Sequence, residues 1–246
     1  GVVTGDNNTA VGASALKANT TGASNTAMGY ESLKANTTGG SNVAVGLASL
    51  VYNTTGASNT AVGTLALINN TTASNNTALG YNTLYANTTG ANNVAVGSLT
   101  LDAATTATGN TAVGQGAMSG TTTGASNVAL GLSALYSNTT GGNNLATGYS
   151  AMFANTTGSY NTAVGQGALT ANTTGQYNTA LGRQALVSST TADRNVSVGY
   201  VSMYSNTTGT RNTATGMNSL YLSTTASDNS AFGYAALQQN TTGSNS

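Results

Sequence analysis

Cysteine and histidine are both absent from this 246-residue chain. The first absence removes disulfides, thiolate nucleophiles and Cys-held metals. The second removes the commonest general base and metal ligand. Charge is nearly missing as well: five Lys+Arg face five Asp+Glu, 4% of the chain, where soluble domains carry roughly a quarter. A net charge of zero offers no footprint for nucleic acid or an anionic membrane. No apolar run approaches the roughly 20 residues of a membrane helix, so membrane insertion is not expected. The five carboxylates, Asp6, Glu31, Asp102, Asp193 and Asp228, are scattered without an acid–base partner, so the chain reads as no enzyme. The turns lack the carboxylate in every repeat that calcium-binding β-rolls use, so neither a metal nor a cofactor is expected. Proline is absent too, which fits a backbone whose N–H groups are mostly committed to ladders.

What remains is a repeat. Glycine returns every 17 residues from Gly12, Gly29, Gly46 and Gly63 to Gly233, without insertion or deletion across fourteen units. The template is roughly Asn-Thr-Ala-Val-Gly-x-x-Ala-Leu-x-x-Asn-Thr-Thr-Gly-x-Ser. A fixed short period is the signature of a solenoid, in which each repeat is one coil stacked on the last. β-Branched pairs, Asn and Gly disfavour helix in so short a unit. The chain therefore predicts an all-β fold: a parallel β-solenoid (β-roll or β-helix) of fourteen coils, forming one repeat domain over 1–246. Asn-Thr-Ala-Val is read as a strand leading into the Gly corner, the small-Leu segment as a second short strand, and Asn-Thr-Thr-Gly as the next bend.

Certain columns hold constant when the units are aligned with one another, and these are the candidate structural ladders. Asn25, Asn42 and Asn59 stand four residues before the corner glycine and suit either an amide ladder or a left-handed turn. Gly29, Gly46 and Gly63 supply a positive φ or a close backbone approach. Leu33, Leu50 and Leu67 fill the interior. The consecutive threonines Thr37-Thr38 and Thr54-Thr55 recur in every unit. Two before the glycine stands Ala in all units but one, where it is Ser197. A column held this small implies either a thin interior or a neighbouring chain against that face. Because Val11, Met28, Val45, Val62 and Leu79 alternate with it, the strand is apolar on both sides, which points to a homo-oligomer, preferably a trimer.

The Thr columns also invite an ice-binding reading. In an extended segment neighbours face opposite sides, so only one of Thr37 and Thr38 should face out, with Asn36 as the second outward column. That column changes to Ala104, Thr121, Ser189 and Ser223, so a matched two-column face is imperfect. Tyr columns admit carbohydrate stacking, beside their ordinary place on β-surfaces. The chain has no initiator Met, no signal peptide and no polar capping repeat, and reads as a segment of a longer fibre.

The phrase Asn161-Thr162-Ala163-Val164-Gly165-Gln166-Gly167-Ala168-Leu169 resembles the repeat arrays of bacteriophage-type tail fibres and related bacterial surface fibre proteins. It is also similar to the head repeats of YadA-type trimeric adhesins, which are shorter and lack the Asn-Thr-Thr-Gly corner. The resemblance covers essentially the whole chain. It implies an extracellular structural shaft, on a virion appendage or cell surface, that presents a tip domain to a host-surface or carbohydrate receptor. It also implies trimerisation through a C-terminal chaperone domain that this sequence does not contain. A self-assembling filament and an ice-binding solenoid are the alternatives.

Overall fold

The computed structural model describes residues 5–246, which fall into two compact units that divide between Ala125 and Ser126. The first unit contains β1 (Thr9–Val11), β2 (Thr26–Met28), β3 (Val43–Val45), β4 (Thr60–Val62), β5 (Thr77–Leu79), β6 (Val94–Val96) and β7 (Thr111–Val113). The second contains β8 (Val128–Leu130), β9 (Leu145–Thr147), β10 (Thr162–Val164), β11 (Thr179–Leu181), β12 (Val196–Val198), β13 (Thr213–Thr215) and β14 (Ser230–Phe232). Within each unit every strand pairs in parallel with its sequence neighbours. The register never slips: Thr26 lies beside Val43, Ala27 beside Ala44 and Met28 beside Val45, and Thr162 beside Thr179 with Ala163 beside Ala180. The expected all-β parallel β-solenoid is thus present in both units.

Each strand is only three residues long because it has one inward position. Side chains alternate across a strand, so Ala27 is buried while Thr26 and Met28 on either side face outward. The same holds in the second unit, where Ala163 is buried between Thr162 and Val164. The Ala column is thus enclosed by its own coil, and its smallness needs no partner chain. Ser197, the one exception, is accommodated because its hydroxyl donates to the Ser202 carbonyl at 2.9 Å.

The corner after the strand requires glycine at both levels of the stack. Gly46 has φ +129°, and a Cβ there would sit 2.6 Å from the carbonyl oxygen of Gly63 in the next coil. A side chain would therefore meet both backbone strain and a backbone clash.

The second short strand expected over the small-Leu segment does not form. That segment is a run of turns in which residues of left-handed conformation alternate with ordinary ones. Glu31 (φ 57°) and Leu33 (φ 49°) are both left-handed, and Ala48 (φ 53°) and Leu50 (φ 53°) repeat the pattern one coil later. Local bonds such as Lys34 N–H to the Glu31 carbonyl (3.2 Å) interleave with bonds to the next coil, such as Leu33 N–H to the Ser49 carbonyl (3.1 Å). The backbone thus ladders along the stack without being extended. Left-handed Leu costs about 1–2 kcal/mol, whereas burying a Leu side chain returns about 1.5–3 kcal/mol. Leu33, Leu50 and Leu67 are all fully buried, so burial prevails at those positions.

Candidate functional site

The interior is narrow, built from Ala, Leu or Met, a column of small residues that includes the hydroxyls of Ser32, Ser49 and Thr83, and two columns of asparagine. In the first column the Asn42 backbone N–H donates to Asn25 Oδ1 at 2.9 Å, and its Nδ2 donates to the Gly56 carbonyl at 2.9 Å. The step repeats from Asn42 to Asn59. One bond joins consecutive coils and the other closes a coil on itself. Asn25, Asn42 and Asn59 have ordinary negative φ, so of the two roles open to them the structure uses the ladder. The second unit runs the same ladder, for example from Asn161 Oδ1 to the Asn178 N–H at 2.9 Å.

A second ladder lies where an outward column was expected. Asn36 is fully buried. Its Nδ2 donates to Asn19 Oδ1 in the preceding coil and to the Gly39 carbonyl three residues on, each at 2.9 Å. The alternation that placed it outside holds only for extended chain, and Asn36-Thr37-Thr38 is a bend. For the same reason both threonines reach the surface. Thr38 is exposed, and Thr37, half-buried, donates its hydroxyl to the Thr54 carbonyl at 3.0 Å. Thr54 and Thr55 repeat the arrangement, with Thr54 bonded to Thr71. The signal for this second ladder was available: Asn holds the column in ten of fourteen units.

The exceptions in that column mark its weak points. Where Ala104 follows Asn87, and Ser189 follows Asn172, the preceding Oδ1 is buried with no donor. The Asn206 Oδ1, which precedes Ser223, is in the same condition, as are the hydroxyls of Ser189 and Ser223.

The outer surface carries what individuality the chain has. On the strand side of the first unit Val11, Met28 and Leu79 form an exposed apolar column, Met28 being 44% exposed, beside Tyr30, Leu47 and Tyr81. The second unit presents Leu130, Val164 and Leu181 with Tyr149 and Tyr200. Stacked aromatics occur in the second unit as Tyr136–Phe153, Tyr160–Tyr177 and Tyr204–Tyr221, with ring centroids 5.1 Å apart in each pair. The faces within a pair cover one another and are closed to a sugar. Beyond the Tyr160–Tyr177 pair, the Arg194 guanidinium lies 5.7 Å from the Tyr177 ring. Arg211 and Asp228 form a two-pronged pair at 2.6 and 2.7 Å, which holds the Asp228 carboxyl below its ordinary range and raises Arg211.

A concavity lies on this surface in the first unit. A cleft of about 400 Å³ is lined by apolar Ala18, Ala35 and Val51, by Tyr52, and by the charged Lys17, Lys34 and Glu31. Lys34 Nζ donates to Glu31 Oε1 at 2.8 Å. That bond, more than any other influence, lowers the Glu31 carboxyl and raises the Lys34 amine. Lys17 and Lys34 stand 17 residues apart and so share a column, whereas only the fold brings Glu31 and Tyr52 to them. Among the described residues no group of three or more His, Cys, Asp or Glu side chains converges to hold a metal. No protein-family model, curated protein or solved structure matches the chain.

Proposed function

We propose that the chain is a structural stretch of an extracellular fibre, a shaft of the tail-fibre or adhesin-stalk type that holds a receptor-binding tip away from a particle or cell. The observation that carries this reading is the double asparagine ladder. Almost every coil repeats one scheme, in which buried amides bond coil to coil. Such a scheme adds strength along the stacking direction and leaves little room for a unique catalytic site, so the reading is of a non-enzymatic protein. The apolar strand-side column of Val11, Met28 and Leu79 supports a homotrimer, because copies packed on that face would remove it from water. The Ala column no longer argues for a partner, so the trimer rests on the outer column alone.

Light scattering on a size-exclusion column tests the assembly. A mass three times the 24.0 kDa of one chain is expected. A monomer would sink the trimeric shaft, and a mass that climbs with concentration would put a self-assembling filament in its place.

A further inference from the structure

The cleft in the first unit concentrates the chain's departures from its own repeat. The sequence holds only two lysines and one glutamate, and all three line this cleft. Tyr52 is the only aromatic at its place in the 17-residue unit, where other coils carry Ala, Ser, Asn, Gly, Leu or Gln. Lys17 and Lys34 occupy one column in consecutive coils, about 4.8 Å apart by the coil spacing, so their charges repel. Glu31 answers only part of that repulsion: its salt bridge goes to Lys34, and Lys17 makes none among the described residues. The cleft therefore keeps one positive charge in excess, at a point where the rest of the surface is nearly uncharged.

We infer that this cleft binds a carboxylated sugar. A single carboxylate matches the single excess charge at Lys17. The 53%-exposed Tyr52 offers an aromatic face, on which the apolar face of a pyranose ring stacks. The apolar lining of Ala18, Ala35 and Val51 admits the ring without a polar penalty. The Glu31 carboxylate has acceptor capacity beyond its bond to Lys34 and takes sugar hydroxyls. The volume falls in the range of about 300–1,000 Å³ typical of small-ligand clefts. A doubly charged phosphate would overcompensate that charge and leave Tyr52 unused. The inference stands on the cleft alone: a monomeric chain would carry it as well as a fibre.

The test is a titration of the full chain with methyl β-D-glucuronide, read by saturation-transfer NMR and repeated with the neutral methyl β-D-glucoside and with inorganic phosphate. Saturable millimolar binding of the glucuronide is expected, with the glucoside and phosphate about tenfold weaker or more, a difference of about 1.4 kcal/mol. Lys17→Gln and Tyr52→Ala, both at exposed positions, should each weaken the glucuronide about tenfold, while Arg194→Gln in the other unit leaves it unchanged. The inference is overturned if the glucuronide does not saturate, if glucoside or phosphate binds as tightly, or if Lys17→Gln binds like the parent chain.

Discussion

Asn53 donates its side-chain amide to Asn36 Oδ1 at 2.9 Å, and both residues are wholly removed from solvent. An asparagine with asparagine on both sides in this column, such as Asn36, Asn53 or Asn70, is therefore donor to the coil before and acceptor for the coil after. A buried amide with both ends bonded is stabilising, and the same amide with one end orphaned is a liability of about 1–3 kcal/mol.

Replacing Asn53 with alanine breaks three such bonds: those to Asn36 and Gly56, and the one accepted from Asn70 at 2.8 Å. The expected loss is several kcal/mol, at about 1–3 kcal/mol for each buried group left without a partner. The converse change should stabilise. Ser189→Asn gives the orphaned Asn172 Oδ1 a donor in a space that neighbouring coils already fit to Asn. A gain of about 1–3 kcal/mol is expected from urea unfolding, with Ser189→Ala close to neutral. No gain from Ser189→Asn would mean that the gap in the ladder is not an energetic defect.

Two glycines separate backbone strain from backbone clash. Gly46 and Gly233 share the corner position, with φ +129° and +115°, but a Cβ at Gly46 meets Gly63 whereas one at Gly233 meets nothing within 4 Å. Gly233→Ala should cost about 1–3 kcal/mol, the range for a strained backbone. Gly46→Ala must also push coils apart and should cost distinctly more. Equal losses in denaturant melts of the two variants would show that close approach between coils is not what holds this column to glycine.

Period and strand position are legible because they follow from constancy between units, whereas the smallness of the Ala column is equally consistent with a thin interior and with a neighbouring chain, and only the fold turns it inward. The turn segment is not legible. Leu33 reads as a strand or core residue in any pattern, and nothing in its identity announces φ +49°, since leucine is among the residues that avoid that region. Asn36 turns inward for a related reason: its segment is a bend, and alternation holds only for extended chain. The cleft was hidden because Lys17, Glu31 and Tyr52 are 14 and 21 residues apart along the chain, and only the coil spacing brings them to one side.

Left-handed leucine should offset its own strain only where it fills the core. Leu99 has φ 54° but is 37% exposed, while Leu101 has φ 51° and is fully buried. Asn82 and Asn218 occupy the Leu99 column in other coils with φ 52° and 60°. Leu99→Asn is therefore expected to stabilise by about 1 kcal/mol, the low end of the left-handed penalty it relieves. Leu101→Asn should destabilise strongly, because it buries a polar group in an apolar slot. Differential scanning calorimetry should show Tm shifts of opposite sign; a fall in both would mean that even exposed Leu99 contributes more packing than strain.

The response to pH should be a broad plateau, because no histidine is present to titrate near neutrality. Asp228 and Glu31 are both held below their ordinary values, chiefly by hydrogen bonds from Arg211 and Lys34. A group depressed in the folded state contributes stability above its unfolded pKa and loses it as pH falls through the folded one. The acid limb should therefore begin below roughly pH 4, the ordinary carboxylate range. Lys34 and Arg211 are raised, so their contributions are complete below their unfolded values and fade only as pH climbs through the folded ones, above roughly 10 for the lysine. All four groups are solvent-accessible, so both limbs should be shallow and weakened further by salt. Urea midpoints measured across pH check this directly. A loss of stability between pH 5 and 8 would contradict it, since no side chain in this sequence has an ordinary pKa in that interval.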